Sequence, residues 1–198
     1  LFKGEHNAFY DENDAYNLSD TAKCFMAGLL RHAAEITAVT NQTVNSYKRL
    51  VPGFEAPVHI SWARNNRSGL IRVPIAKRNS DSATRIEYRS PDPACNPYLA
   101  FSVILAAGLR GIQEGYELPV EADANLFEMD NDVLEKMSIH QLPQSLNEAL
   151  HVMENSTLVA EALGDHIFEW FLRNKRAEWR TYKTHISQYE LGRYLRSL

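Results

Sequence analysis

Cysteine is scarce. Only Cys24 and Cys95 occur in 198 residues, with no C-x-x-C spacing, so neither a disulfide framework nor a cysteine-based zinc site is expected, and a reducing, cytoplasmic compartment is the default. Long apolar runs are missing as well. The longest, Pro97 to Leu109, is interrupted by Ser102 and stops at Arg110, short of the roughly 20 residues that span a bilayer. No membrane segment is expected. The start, Leu-Phe-Lys-Gly-Glu-His, has neither an initiator Met nor the basic-then-apolar profile of a signal peptide, and reads as a piece of a longer protein. Internal repeats are absent, and the seven histidines show no metal-ligand spacing. With 44% hydrophobic and 23% charged residues, the chain has the composition of an ordinary compact protein, long enough to bury a core without disulfides.

A basic excess is also lacking, since the net charge is −4, which argues against bulk nucleic-acid binding. The positive charge is nevertheless unevenly placed. Residues 43 to 89 carry Lys48, Arg49, Arg64, Arg67, Arg72, Lys77, Arg78, Arg85 and Arg89 against only Glu55, Asp81 and Glu87. A cationic window in an acidic chain suits a small anionic ligand; a solvated basic loop region is the plainer alternative.

Periodicity gives a coarse architecture. Residues 1 to 18 read as an irregular lead-in. Ser19 then caps a helix of about 20 residues whose Ala22, Phe25, Met26, Leu29, Leu30, Ala33, Ile36 and Val39 recur at helical spacing. A loop from Asn41 to Pro57 leads to three short strands, around Val58–Trp62, Leu70–Val73 and Ile86–Tyr88. In the last of these, alternation puts Arg85, Glu87 and Arg89 on one face. Asn96 as N-cap, Pro97 at the first helical position and Gly115 past the end bound an apolar helix expected to be central. An acidic loop region with one short helix follows over 116 to 143. Ser145 with Glu148 and Ser187 with Glu190 are capping-box pairs, opening helices near 146–154 and 188–196. Between them lie a short helix closed by Gly164 and a long one over 165–186, on which Trp170 and Trp179 are expected to pack inward.

The informative stretch runs Asn45-Ser46-Tyr47-Lys48-Arg49-Leu50-Val51-Pro52-Gly53-Phe54-Glu55-Ala56-Pro57, then Asn66-Arg67-Ser68 with Arg72, then Arg85-Ile86-Glu87-Tyr88-Arg89. Guanidinium groups bind carboxylate and phosphate through paired donors and keep their charge, so converging arginines suit a substrate bearing both groups. Glu87 among them is placed to ligate magnesium held jointly with a phosphate. An ion-pair ladder on a wet sheet face is the other account of the same residues.

These three motifs, in this order, resemble the C-terminal half of the glutamine synthetase catalytic domain, of the bacterial and archaeal type I kind, and the likeness extends over essentially the whole chain. The resemblance implies an α+β fold in which short antiparallel strands carry the site residues and pack with several helices. It also implies one partial domain over 1–198, with the family's N-terminal β-grasp domain and the first part of its catalytic domain lying before it. The activity implied is ATP-dependent ligation of ammonia to L-glutamate through a γ-glutamyl phosphate, giving glutamine, ADP and phosphate.

By resemblance, Arg49 holds the glutamate substrate, and Glu55 is the flap-loop acid that takes a proton from ammonium. Arg67 contacts the transferring phosphoryl group, Arg72 the ATP phosphates and Arg85 the nucleotide. Glu87 ligates Mg2+ or Mn2+, and Arg89 meets the substrate's side-chain carboxylate. The same resemblance implies a homo-oligomeric ring, expected to be a dodecamer, with no nucleic-acid or membrane partner. Because further metal ligands and part of the site would lie outside this chain, the fragment alone is expected to be inactive. Relatives that join glutamate to a polyamine, and a non-catalytic scaffold, are the competing readings.

Departures from the family pattern are few. Gln42 stands where Pro is frequent, an exchange expected to loosen that turn. Phe127 occupies the place of a tyrosine that some bacterial members adenylylate, and it has no hydroxyl to modify. Cys95, beside the Asn96 cap, is expected to be a buried small residue.

Overall fold

The structure is a computed structural model, and it describes residues 1–54, 56–64, 68–75, 81–122, 126, 129 and 131–195. In chain order its elements are β1 (Phe2–Lys3), β2 (His6–Asn7), α1 (Asp20–Arg31), α2 (Ala33–Thr40), α3 (Ser46–Arg49), β3 (His59–Ala63), β4 (Gly69–Arg72), a 3-10 turn at Asp81–Ala83, β5 (Glu87–Tyr88), α4 (Pro97–Glu114), α5 (Asn131–Lys136), α6 (Leu146–Glu154), α7 (Thr157–Lys183) and α8 (Gln188–Tyr194). The α+β class expected from the sequence is the class observed.

Five of the helices begin where a side chain replaces a missing backbone acceptor. Ser19 accepts from the Ala22 N–H, Asn96 from Tyr98 and Leu99, Ser145 from Glu148, Ser156 from Val159 and Ser187 from Glu190. The Ser187–Glu190 pair closes a full capping box. In the other pair Glu148 accepts from the Gln144 N–H instead. Gly115 ends α4 in the left-handed region, and Gly164, at φ 71° and ψ 156°, breaks α7 where the sequence places a helix end.

The expected 20-residue first helix is two helices. His32 leaves the helical region between them, so that α1 lies along α4 while α2 packs mainly on α6. One non-helical residue does not disturb the apolar period, because both halves feed the same core. Met26, Leu29, Ile36, Val39, Val103, Leu146, Leu150 and Met153 are buried together there.

α1 and α4 meet backbone to backbone. A Cβ on Gly28 would sit 2.2 Å from the Ala107 carbonyl oxygen, and one on Gly111 2.2 Å from that of Cys24. α4 is less central than expected: Val103, Ala107, Gly108 and Gly111 are buried, but Tyr98 and Phe101 are 82% and 65% exposed, with Leu105 and Leu109 also on the surface. On α7, Phe171 is buried and Trp179 packs against the core, whereas Trp170 lies 47% exposed under Arg173. The inward packing expected of Trp170 is therefore not observed. That face of the helix carries the arginine instead.

The sheet has the order β3-β4-β5. β4 and β5 are antiparallel, as expected, with Arg72 opposite Glu87 and Ile71 opposite Tyr88. β3 is the exception, running parallel to β4 with an irregular register between His59 and Trp62. Alternation fixes which face a side chain takes, not strand direction, so the sequence carries no sign of this pairing. The outer edge of β3 bonds the long acidic segment: Ile60 N–H to His140 O at 2.8 Å, Leu142 N–H to Val58 O at 2.8 Å and Ala122 N–H to Trp62 O at 3.0 Å. The lead-in is less irregular than its sequence suggests. β1 and β2 form a hairpin, and the buried Asn7 side chain donates to the Asp81 and Thr84 carbonyls at 2.9 and 2.8 Å.

Candidate active site

Five of the expected site residues, Arg49, Arg72, Arg85, Glu87 and Arg89, lie where β4, β5 and the turn of α3 meet. Thr43 and Ser46 cap each other reciprocally, each hydroxyl accepting the other residue's N–H at 3.2 Å. This starts the single turn of α3 and sets Arg49 at its end. Past it, Leu50 at φ −79° and ψ 62°, with a Val51 N–H bond to Arg49 O, is an inverse γ-turn. The chain then turns again over Val51–Phe54, with Pro52 second, Gly53 third at φ 86°, and a Phe54 N–H bond to Val51 O at 3.1 Å. Only glycine adopts that third position readily. The turn projects outward, with Phe54 exposed.

Arg49 is half-buried and aimed by main-chain carbonyls. Its Nη1 donates to Ser90 O at 2.9 Å and its Nη2 to Arg89 O at 3.3 Å. A guanidinium has five N–H groups, so three are left for a ligand. Arg89 leaves β5 with its own N–H on Leu70 O at 3.0 Å and its Nη1 on Gly69 O at 3.3 Å. Both arginines are thereby fixed to the sheet rather than hung from loops, which is the preorganisation that anion recognition needs.

Beside them is a charged triad. The antiparallel register puts Arg72 directly across from Glu87, and Arg72 Nη1 lies 3.2 Å from Glu87 Oε2. Arg85, two residues before Glu87 and so on the same face, places Nη2 3.3 Å from Oε1. Each carboxylate oxygen thus meets one guanidinium. All three side chains are substantially exposed, so the two pairs add little to stability. What they do is hold two arginines side by side at the end of a sheet.

A divalent-cation site would need more ligands than these groups supply. Glu87 is a single carboxylate with both oxygens already engaged, and among the described residues no cluster of three or more His, Cys, Asp or Glu side chains could hold a metal. Ligands from beyond the described residues would be required to complete such a site.

The structure therefore brings together Arg49, Arg72, Arg85, Glu87 and Arg89. Glu55, Arg67 and Phe127 lie outside the described residues. Gln42 Nε2 donates to Ala94 O at 3.0 Å and ties the loop to the chain beyond β5. Cys95 is half-buried, and burial together with the Asp92 carboxylate pushes its thiol up, leaving it protonated and a poor nucleophile. A groove of about 760 Å3, lined by residues including Leu30, Arg31, Tyr116 and His140, contains none of the site arginines.

Two residues were missed by sequence reasoning. Asn41 and Ser90 are both fully buried, and Asn41 Nδ2 donates to Ser90 Oγ at 3.1 Å, immediately behind the carbonyls that hold Arg49. The signal was present, because alternation past Arg89 turns Ser90 inward, where a hydroxyl needs a partner.

Comparison with known proteins follows the same lines. A family model described as glutamine synthetase, catalytic domain, matches residues 1–194. The chain is 55% identical over 195 residues to a glutamine synthetase of Mycolicibacterium smegmatis. It is 54% identical to one of Mycobacterium tuberculosis and 49% to one of Thermotoga maritima. In each case the match takes in 98% of this chain and 44% of the relative, so the chain spans less than half the length of these relatives. Among solved structures, a GmaS complex with ADP superposes with a TM-score of 0.81 at 36% identity, covering 95% of this chain and 42% of that one. GmaS without ligand gives 0.77 at 37% identity, covering 95% and 41%.

Proposed function

The chain belongs to the glutamine synthetase catalytic-domain family, and we propose that it is the site-bearing part of a ligase that joins ammonia to L-glutamate at the expense of ATP. The observation that carries the reading is the grouping of four arginines at one end of the sheet, Arg72 and Arg85 on the Glu87 carboxylate and Arg49 and Arg89 on main-chain carbonyls of β4 and the chain leaving β5. A structural protein gains nothing from crowding like charges. A reaction between a carboxylate and a polyphosphate needs them.

In the proposed sequence a side-chain carboxylate oxygen of glutamate attacks the terminal phosphorus of ATP. The bond to the ADP oxygen breaks, and an acyl phosphate forms. Ammonia then attacks the acyl carbon and phosphate leaves. Arg49 and Arg89 hold the amino acid, Arg72 and Arg85 the phosphates, and Arg67 the phosphoryl group in transfer, where negative charge spreads over the equatorial oxygens. Glu55 takes the proton that ammonium gives up. The Pro52–Gly53 turn shapes a lid over the labile intermediate. Magnesium or manganese is the ion class proposed for the reaction. The assembly proposed is a homo-oligomeric ring of dodecamer type, in a cytoplasmic setting; no helix among the described residues is long and apolar enough to cross a membrane.

Phosphate release from ATP by the whole protein tests this. It is expected to require glutamate and ammonium together, and Glu55→Ala is expected to remove the ammonium-dependent part. Release with a polyamine but not with ammonium would move the assignment to an amine ligase, and silence with every amine would refute catalysis.

A further inference from the structure

We infer that Asn41 and Ser90 form a positioning pair that aims Arg49 and Arg89 at the amino-acid substrate. The inference rests on the functional reading above and adds two residues that touch no ligand. Arg49 draws its direction from two carbonyls, those of Arg89 and Ser90, which belong to the chain just leaving β5. Main chain at the end of a two-residue strand is held by few ladder bonds, so something else must fix it.

That something is the C-terminal end of α2. Asn41 caps the helix, its N–H on Thr37 O at 2.8 Å. Its Nδ2 bonds Ser90 Oγ at 3.1 Å and Thr40 Oγ1 at 3.0 Å. The Asp92 N–H reaches Thr40 O at 2.9 Å, and Gln42 holds Ala94, so three consecutive residues of the helix end grip the strand exit. Of the contacts that cross from the helix end to the strand exit, the Asn41–Ser90 bond is the buried one between side chains, and it lies on the residue whose carbonyl receives the shorter of the two Arg49 bonds. The Asn41 Oδ1 atom is buried without a partner. An amide kept at that cost, in a place where an apolar side chain would pack, points to a requirement for its donor.

The consequence is specific. Losing the Ser90 hydroxyl or the Asn41 amide should misdirect the arginines that meet glutamate, while leaving Arg72 and Arg85, which are braced by Glu87, in place. Glutamate KM should therefore move and ATP KM should not.

The experiment is steady-state kinetics of the whole protein with Ser90→Ala, Asn41→Ala and the double variant, with glutamate and ATP varied separately. Each single variant is expected to raise glutamate KM by about 3- to 10-fold, the range of one buried hydrogen bond, with ATP KM within about twofold. The double variant should be no worse than the poorer single one. Ser90→Thr, which keeps the hydroxyl, should restore glutamate KM. Equal rises in both KM values, or a lowered Tm with both unchanged, would make the pair merely structural and overturn the inference. If Asn41→Ala does not fold, Ser90→Ala, which removes one oxygen, decides alone. A wild-type protein that releases no phosphate with glutamate and any amine overturns the functional reading and this inference with it. An active wild type with an unmoved glutamate KM overturns only the inference.

Discussion

Substituting Gly28 by alanine opposes two effects of known sign. In the middle of α1, Gly→Ala should stabilise by about 1 kcal/mol through helix propensity. Here the added methyl would stand 2.2 Å from the Ala107 carbonyl oxygen and 2.9 Å from the Gly111 Cα and N atoms. These are backbone atoms of a facing helix, with no flexible side chain to swing aside. Relief requires α1 and α4 to part by roughly 1 Å, loosening the packing of Phe25, Leu29 and Val103 between them; overpacking of that kind costs about 1–3 kcal/mol, and more when backbone must move. The clash should win. Net destabilisation of about 2 kcal/mol is expected, a fall in Tm of roughly 4–8 °C for a domain of this size. The assay is thermal unfolding of the purified protein, with Gly192→Ala in α8 as the control, since a Cβ there meets nothing within 4 Å and only the propensity gain should remain. If Gly28→Ala is as stable as wild type or more so, the close approach of the two helices is wrong.

Other outcomes follow from single contacts. Glu35 is pushed up by burial, but hydrogen bonds from His32 and Ser156 outweigh that and hold it below the ordinary value of 4.5. A depressed carboxylate stabilises the fold above its unfolded value and loses that contribution as pH falls through its folded value. Glu35→Gln should therefore be less stable than wild type near ~pH 6, with the gap closing by ~pH 3 in urea titrations; a constant gap would contradict the assignment. Ser156→Ala removes both the α7 cap and one of Glu35's partners, and should cost about 1–2 kcal/mol by chemical denaturation. Glu87→Gln frees two exposed guanidiniums. Its stability should stay within about 1 kcal/mol of wild type, while phosphate release falls at least tenfold; a large loss of stability would show that the triad serves the fold.

What could be read from the chain in advance was mostly what is written locally. Asn96, Gly115, Ser156, Gly164 and Ser187 mark helix ends because caps and left-handed turns are chemistry within a few residues. The three strands, and the shared face of Arg85 and Glu87, followed from alternation. The fold class came from resemblance, and the likeness to known catalytic domains agrees with it; the roles given to the site residues came from the same resemblance. Features requiring a distant partner were hidden: the parallel run of β3, the break at His32, and the bond between Asn41 and Ser90, which lie far apart in sequence. The outward face of α4 escaped for another reason. Tyr98, Phe101, Leu105 and Leu109 look like core by composition, and hydrophobicity alone does not say which apolar face a single chain covers.

The acidic segment beyond α4 gains a meaning from its bonds to β3. A three-stranded sheet has two rims, and an uncovered rim is a template on which other chains can extend in cross-β fashion. Here one rim is clad by stretches that are not strands themselves, using the Ala122 and Leu142 amides and the His140 carbonyl. Trimming this segment would remove the buried cluster of Ala122, Leu126 and Leu134 and leave the rim bare, turning the sheet into one that recruits its own kind.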